Sequence, residues 1–189
     1  MIRSFLIALA AIFVFIRTIQ AADNADHQEL LSKHYRLEKL EGQGPFPAVM
    51  MVSGCSGFDV KYAKSHYDSV QNRLVELGYV TLHVNYLAAR NATCCRPDVP
   101  TQEVAADINI ANEYLKRQPF VKKGAINVIG WSYGASGALH ALGRSYSQEP
   151  VQVDAVVAYY PHCGFIWQRQ GAAPGRHLPG TLRRNLSGF

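Results

Sequence analysis

Four mostly apolar segments punctuate the middle of the chain: Ala48 to Val52, which is unbroken, then Tyr79 to Val84, Ala125 to Ile129 and Val153 to Tyr159, each read as a core strand. A short run that is apolar at every position, not at alternate ones, predicts a parallel strand covered on both faces. Between the runs, apolar residues recur at helical spacing. Tyr67, Val70, Leu74 and Leu77 predict a helix over Ser65 to Leu77, with Gly78 placed to cap its C-terminus. Val104, Ile108, Ala111 and Leu115 predict a second, capped by Thr101 and running to about Gln118, where Pro119 ends it. A third is expected from about Tyr133 to Leu142. His34 to Leu40 alternates as an early strand, and Gly42-Gln43-Gly44-Pro45 reads as a turn. Residues 23–33 read as a loose polar lead-in, and residues 85–100 as a polar loop. Strands alternating with helices predict an α/β fold with a doubly wound, mostly parallel sheet. In such sheets, reactive groups gather at the carboxyl ends of the strands.

The two ends of the chain break this pattern. Met1-Ile2-Arg3-Ser4 is short and positive, Phe5 to Ile16 is unbroken apolar, and Thr18 to Ala22 ends in small residues. This predicts a signal peptide over residues 1–22 and an exported protein, periplasmic or extracellular, with no membrane association after cleavage. The apolar run is short for a bilayer span, which takes roughly 20 residues; an uncleaved anchor is the rival reading, with Arg17 its main support. Residues 23–167 are expected to form a partial α/β domain. Residues 168–189 form an irregular basic tail: beyond Asp154 the chain has no acidic residue, yet carries Arg169, Arg176, Arg183 and Arg184. The net charge of +5 is therefore largely a property of the tail. It does not mark a nucleic-acid surface, because basic residues neither cluster on one helix face nor interleave with aromatics. Cys55, Cys94, Cys95 and Cys163 could form disulfides in an exported protein, in three possible full pairings. No Cys-x-x-Cys spacing or close His pair accompanies them, so no metal site is expected.

The third apolar run leads directly into Gly130-Trp131-Ser132-Tyr133-Gly134 and then an Ala-rich helix. A serine hydroxyl is a weak nucleophile; it needs a base to take its proton and donors to hold the oxyanion it generates. A Gly-x-Ser-x-Gly turn between strand and helix lifts the serine above the sheet, with Gly130 and Gly134 leaving room for crossing backbone. Ser132 is thus the candidate nucleophile; the bland rival is a tight turn holding an incidental serine. The loop Ser53-Gly54-Cys55-Ser56-Gly57 follows the first apolar run, and the backbone N–H groups of Cys55 and Tyr133 are the candidate oxyanion donors. Cys55 is a weaker nucleophile candidate, since it follows no such turn. The base is harder to find. Glu149 lies in the loop before the last strand and Asp154 opens that strand, both on the wrong side of the sheet. His140 lies on the helix after the turn and reads as structural. His177 lies in the tail with no strand around it. His162 follows a strand's carboxyl end and is a candidate substrate contact.

These stretches resemble the dienelactone hydrolase family of the α/β-hydrolases, in its exported serine branch. The resemblance is carried by Phe46 to Gly57, Leu77 to Val80, Arg96 to Thr101, Ala106 to Val121, Ile129 to Gly134 and Ala155 to Pro161. It implies hydrolysis of a small-molecule ester or lactone through a Ser132 acyl-enzyme, without a cofactor. The chain departs from the family in three ways. Ser132 stands where better-known members carry Cys, Ser53 stands where the first loop usually has His, and the strands that would carry the triad Asp and His have no counterpart. The expected fold is accordingly an α/β-hydrolase sheet lacking its last strands, with the reading frame broken near residue 168. A sheet ending at Tyr160 leaves an unpaired edge, so a poorly stable or aggregation-prone chain is expected. Two rival functions stand beside this reading. One is an exported serine peptidase of the prolyl-oligopeptidase type, whose turn looks similar; the other is a non-catalytic binding relative.

Overall fold

The computed structural model describes residues 25–93, 99–143 and 150–162. The predicted signal peptide, Cys94, Cys95, Glu149, Cys163, His177 and the basic tail lie outside the described residues.

The strands are β1 (Arg36–Glu38), β2 (Phe46–Val52), β3 (Val80–His83), β4 (Val121–Trp131) and β5 (Ala155–Tyr159), joined in one sheet in the order β1-β3-β2-β4-β5. β3, β2, β4 and β5 run parallel, and β1 pairs antiparallel with β3 at one edge. Three helices connect them: α1 (Lys61–Glu76), α2 (Thr101–Lys116) and α3 (Tyr133–Ala141). The mostly parallel α/β sheet expected from the alternating runs is therefore present.

The continuous apolar run of β2 is explained by cover on both faces. Ala48, Met50 and Val52 of β2 point into a core shared with Val104, Ile108 and Leu115 of α2 and Ala138 and Ala141 of α3. Val49 and Met51, one residue out of phase, point into a second core with Tyr67, Val70 and Leu74 of α1. A strand covered this way has no polar face to show, which is why its sequence does not alternate. β2 lies at the centre, Val52 opposite Gly130 of β4, so the ends of these two strands open at the same rim of the sheet.

Three local expectations are corrected. Thr101 is the first residue inside α2, not its cap; Pro100 takes the capping position, in extended conformation, with no side-chain hydrogen bond. β4 begins four residues before Ala125, at Val121, with a register shift against β2 between Phe46 and Ala48. Its exposed Lys122, Lys123 and Gly124 bulge outward, and a polar bulge hides a strand from a reading based on apolar runs. Residues 25–32 are helical, not a loose lead-in. Leu31 is fully buried, and His27 Nε2 lies 2.7 Å from Asp107 Oδ1.

Asp107 is the fastening point of that segment. Its carboxylate is fully buried in α2 and takes a two-pronged hydrogen bond from the Arg90 guanidinium, which also donates to Glu103 and to the Tyr86 carbonyl. One carboxylate thus ties residues 25–32, the 3-10 turn Ala88–Arg90 and α2 together. At the other side of the sheet, β5 has no outer neighbour among the described residues, and Val157 and Tyr159 are 43% and 48% exposed. Removing one member of a buried ion pair strands the other. Asp107→Ala is therefore expected to lower the unfolding free energy in urea by about 3–5 kcal/mol; a loss under about 1 kcal/mol, the usual worth of a surface pair, would contradict this assignment.

Candidate functional site

β4 passes into α3 through Ser132, whose φ of 48° and ψ of −113° lie outside the regions open to ordinary residues. Such a conformation costs on the order of 1–3 kcal/mol and persists only where neighbours hold it. The Ser132 N–H donates to the Tyr159 carbonyl at 2.9 Å, and the Ser132 carbonyl accepts the Ser136 N–H at 3.1 Å. Both flanking glycines are required sterically. A Cβ on Gly130 would sit 2.7 Å from Ala135 backbone atoms, and one on Gly134 would collide with the carbonyls of Val52 and Ser53. The start of α3 is thus pressed against the end of β2, and the chain can cross there only without side chains.

The same contact brings the first glycine-rich loop to the serine. A Cβ on Gly54 would lie 3.5 Å from the Ser132 Cβ and 3.7 Å from the Tyr67 hydroxyl. The loop is held by two buried phenols. The Gly54 N–H donates to the Tyr67 hydroxyl at 3.1 Å, and the Tyr86 hydroxyl donates to the Gly54 carbonyl at 3.0 Å, with the Ser53 carbonyl at 3.3 Å. Burial pushes both phenols above their ordinary pKa, so both stay protonated at neutral pH. Because the Gly54 carbonyl faces Tyr86, the Cys55 N–H of the same trans peptide plane points the opposite way. At the elbow itself, Tyr133 is the first residue of α3, and an N–H in a helix's first turn has no intrahelical acceptor. The Tyr133 hydroxyl is turned away, donating to the Val99 carbonyl at 2.5 Å.

An aromatic layer backs the loop. Phe58 stacks on His83 at 4.0 Å and meets Tyr67 edge-on at 5.1 Å; Trp131 meets Tyr67 edge-on and stacks on Tyr159 at 5.7 Å. His83 is 3% exposed, and its Nε2 has no hydrogen-bond partner among the described residues. Burial, helped by the Arg36 charge, lowers its pKa to about 4.

The structure brings Ser132, Gly130, Gly134, Tyr133 and the Cys55 loop together at one rim. His162 is exposed just beyond β5, and its backbone N–H donates to Ser136 Oγ at 3.0 Å, tying that segment to the first turn of α3. His140 is buried on α3 away from this rim, with its pKa lowered by burial. Asp154 pairs its N–H with the Ile126 carbonyl at the opposite end of β5. Among the described residues, Ser132 Oγ has no hydrogen-bond partner. Among the described residues, no three His, Cys, Asp or Glu side chains gather as a metal site would require, and no helix is long and apolar enough to cross a membrane. Tyr67 and Tyr86 were not anticipated as loop supports. Tyr67 reads in sequence as one more apolar position of α1, and nothing in its spacing marks its hydroxyl.

A sequence model described as the dienelactone hydrolase family matches residues 36–177. The chain belongs to that family. Its fold is shared by solved structures at low sequence identity. A protein assigned as a dienelactone hydrolase from Klebsiella pneumoniae superposes with a TM-score of 0.51 at 18% identity, over 67% of this chain and 53% of that one. Est1E from Butyrivibrio proteoclasticus, with ferulic acid bound, gives 0.52 at 20% identity over 68% and 48%. The α/β-hydrolase GrgF from Penicillium gives 0.50 at 19% identity over 66% and 40%. The chain thus spans about half the length of the solved relatives it matches. No curated protein matches it significantly.

The depressed pKa of His83 has a signed consequence. Between about pH 6.5 and 4 the unfolded chain binds a proton that the folded chain does not, so stability is full above 6.5 and falls as pH drops through that window. One such histidine gives a slope approaching about 1.4 kcal/mol per pH unit. Urea unfolding of His83→Phe, which keeps the stack on Phe58, should show a shallower slope from pH 6.5 to 4; an unchanged slope would assign the acid sensitivity elsewhere.

Proposed function

We propose that this member of the dienelactone hydrolase family cleaves small ester or lactone bonds through an acyl-enzyme on Ser132. The reading rests on the strained Ser132 backbone, held at the rim against Gly54. Strain of this kind is retained where exposing the residue serves chemistry, and a binding-only relative would have no use for it. Ser132 Oγ attacks the carbonyl carbon while its proton passes to a base. The carbonyl electron pair moves onto oxygen, and the backbone N–H groups of Cys55 and Tyr133 receive that oxyanion. The N-terminus of α3 adds its partial positive charge at the same place. Collapse of the intermediate breaks the bond to the leaving oxygen, and water then releases the acid. His162, exposed at the same rim, contacts substrate.

No described residue is assigned as triad acid or base, so the activity assigned to these elements is acylation by an activated ester, assisted by oxyanion stabilisation. Oxyanion stabilisation and binding alone retain a rate on the order of 10³–10⁴ over water when triad members are lost. The full chain should therefore release p-nitrophenolate from p-nitrophenyl acetate and gain one acetyl group at Ser132 by mass spectrometry. Ser132→Ala should abolish the adduct and lower release at least about tenfold, within the range that a hole and binding can supply. Equal release from both proteins, with no adduct, would remove the serine mechanism.

A further inference from the structure

The elbow has a companion at the end of the neighbouring strand. In the parallel pairing of β4 and β5, Trp131 lies opposite Tyr159, so the next two residues, Ser132 and Tyr160, leave the sheet side by side. Tyr160 has φ of 40°, as unusual for a bulky side chain as the 48° of Ser132. It also precedes Pro161, whose ring favours an extended residue before it. The segment is clamped from the elbow on both sides: the Tyr159 carbonyl accepts the Ser132 N–H, and the His162 N–H donates to Ser136 Oγ. A glycine would make this turn without strain. Instead a tyrosine is held there, with its side chain 70% exposed at the rim where the serine emerges. Tyr159 beside it is 48% exposed and stacked on Trp131, and Tyr62, 77% exposed, reaches the first loop through a 2.5 Å hydrogen bond between its hydroxyl and Ser56 Oγ.

We propose that Tyr160 is a specificity-determining residue whose strained backbone stands its ring beside Ser132 as the wall of a site for esters with a planar aromatic acyl group. This rests on Ser132 being the acylated residue. Large exposed rings at a rim offer flat π faces, and a flat aromatic group gains more from them than a short alkyl group does. A small aliphatic acyl group would reach Ser132 without touching Tyr160.

The experiment compares acylation of Ser132 in the full chain by p-nitrophenyl benzoate and p-nitrophenyl acetate, which share a leaving group and differ only in the acyl part. Rates are read as p-nitrophenolate release and as adduct mass. Tyr160→Ala and Tyr160→Gly should each lower the benzoyl-to-acetyl rate ratio about three- to tenfold, the worth of one aromatic contact. Tyr160→Phe should keep the ratio. The glycine variant also removes the backbone strain, so it reports even if the alanine variant folds poorly. An unchanged ratio in both small variants, with Ser132 still acylated, overturns the wall while leaving the serine mechanism standing. A Phe variant that loses the preference as fully as Ala overturns the stacking argument. Failure of the benzoate alone to acylate Ser132 in the parent overturns the wall; failure of both esters overturns the serine mechanism, and this inference with it.

Discussion

The architecture depends on one crossing of backbone. At Gly134 the first turn of α3 lies so close to the carbonyls of Val52 and Ser53 that no side chain fits between them. That contact forces Ser132 into its strained conformation and brings Gly54 to its side. It also sets where β2 and β4 must end. The strain is borne because each group around it is otherwise committed: the Ser132 N–H to Tyr159, the Ser132 carbonyl to Ser136, and the Gly54 carbonyl to Tyr86. A local cost on the order of 1–3 kcal/mol is small against a sheet covered by helices on both faces. It would be prohibitive on an isolated loop.

Most of this was legible in the chain because it follows from patterns with a mechanical cause. Val49 and Met51 face one core and Ala48, Met50 and Val52 the other, so the run between Phe46 and Ser53 had to be apolar throughout, and it identifies itself as a central strand. Gly130 and Gly134 flank a serine after such a strand because the crossing excludes side chains. What was not legible depends on contacts distant in sequence. Tyr67 and Tyr86 look like ordinary aromatic residues until the fold places their hydroxyls on Gly54. The helical segment 25–32 has a polar sequence, and its place is set by Leu31 and by a carboxylate 80 residues further on. The early start of β4 was hidden because its bulge is Lys-Lys-Gly, and no periodicity reports a bulge. Tyr160 is legible only in part: a residue before proline at a strand's end marks a turn, but the sign of its φ is decided by the clamp from Ser132 and Ser136.

Tyrosine recurs at this site in two roles. Tyr67 and Tyr86 are buried and positional, spending their hydroxyls on backbone and held neutral by burial. Tyr62, Tyr159 and Tyr160 are exposed, and it is Tyr160 that the proposed site uses as a wall. The buried pair explains how a glycine-rich loop keeps one shape. A loop of Ser-Gly-Cys-Ser-Gly has little side-chain packing of its own, and it is fixed by hydrogen bonds to its N–H and carbonyl groups from rings anchored in α1 and after β3. That arrangement turns the Cys55 amide away from Tyr86.

The division of labour within the fold follows from this. Ser132, its strain, the two candidate amide donors and the supporting phenols are all set by β2, β4, β5, α1, α3 and the segment that follows β3. Every one of these lies between Phe46 and Tyr159, and their geometry is closed among themselves. A general base makes a different demand. It must approach Ser132 Oγ from the solvent side of the rim, and His140 and Asp154 are not placed to do so. His140 is inside a helix packed against the core, and Asp154 is at the far end of its strand. Preorganised amides lower the cost of charge on the carbonyl oxygen whether or not a base is at hand. A base without the elbow would have no serine within reach. The strained turn is therefore the prior requirement, and the proton acceptor is an addition made to a site whose shape is already determined.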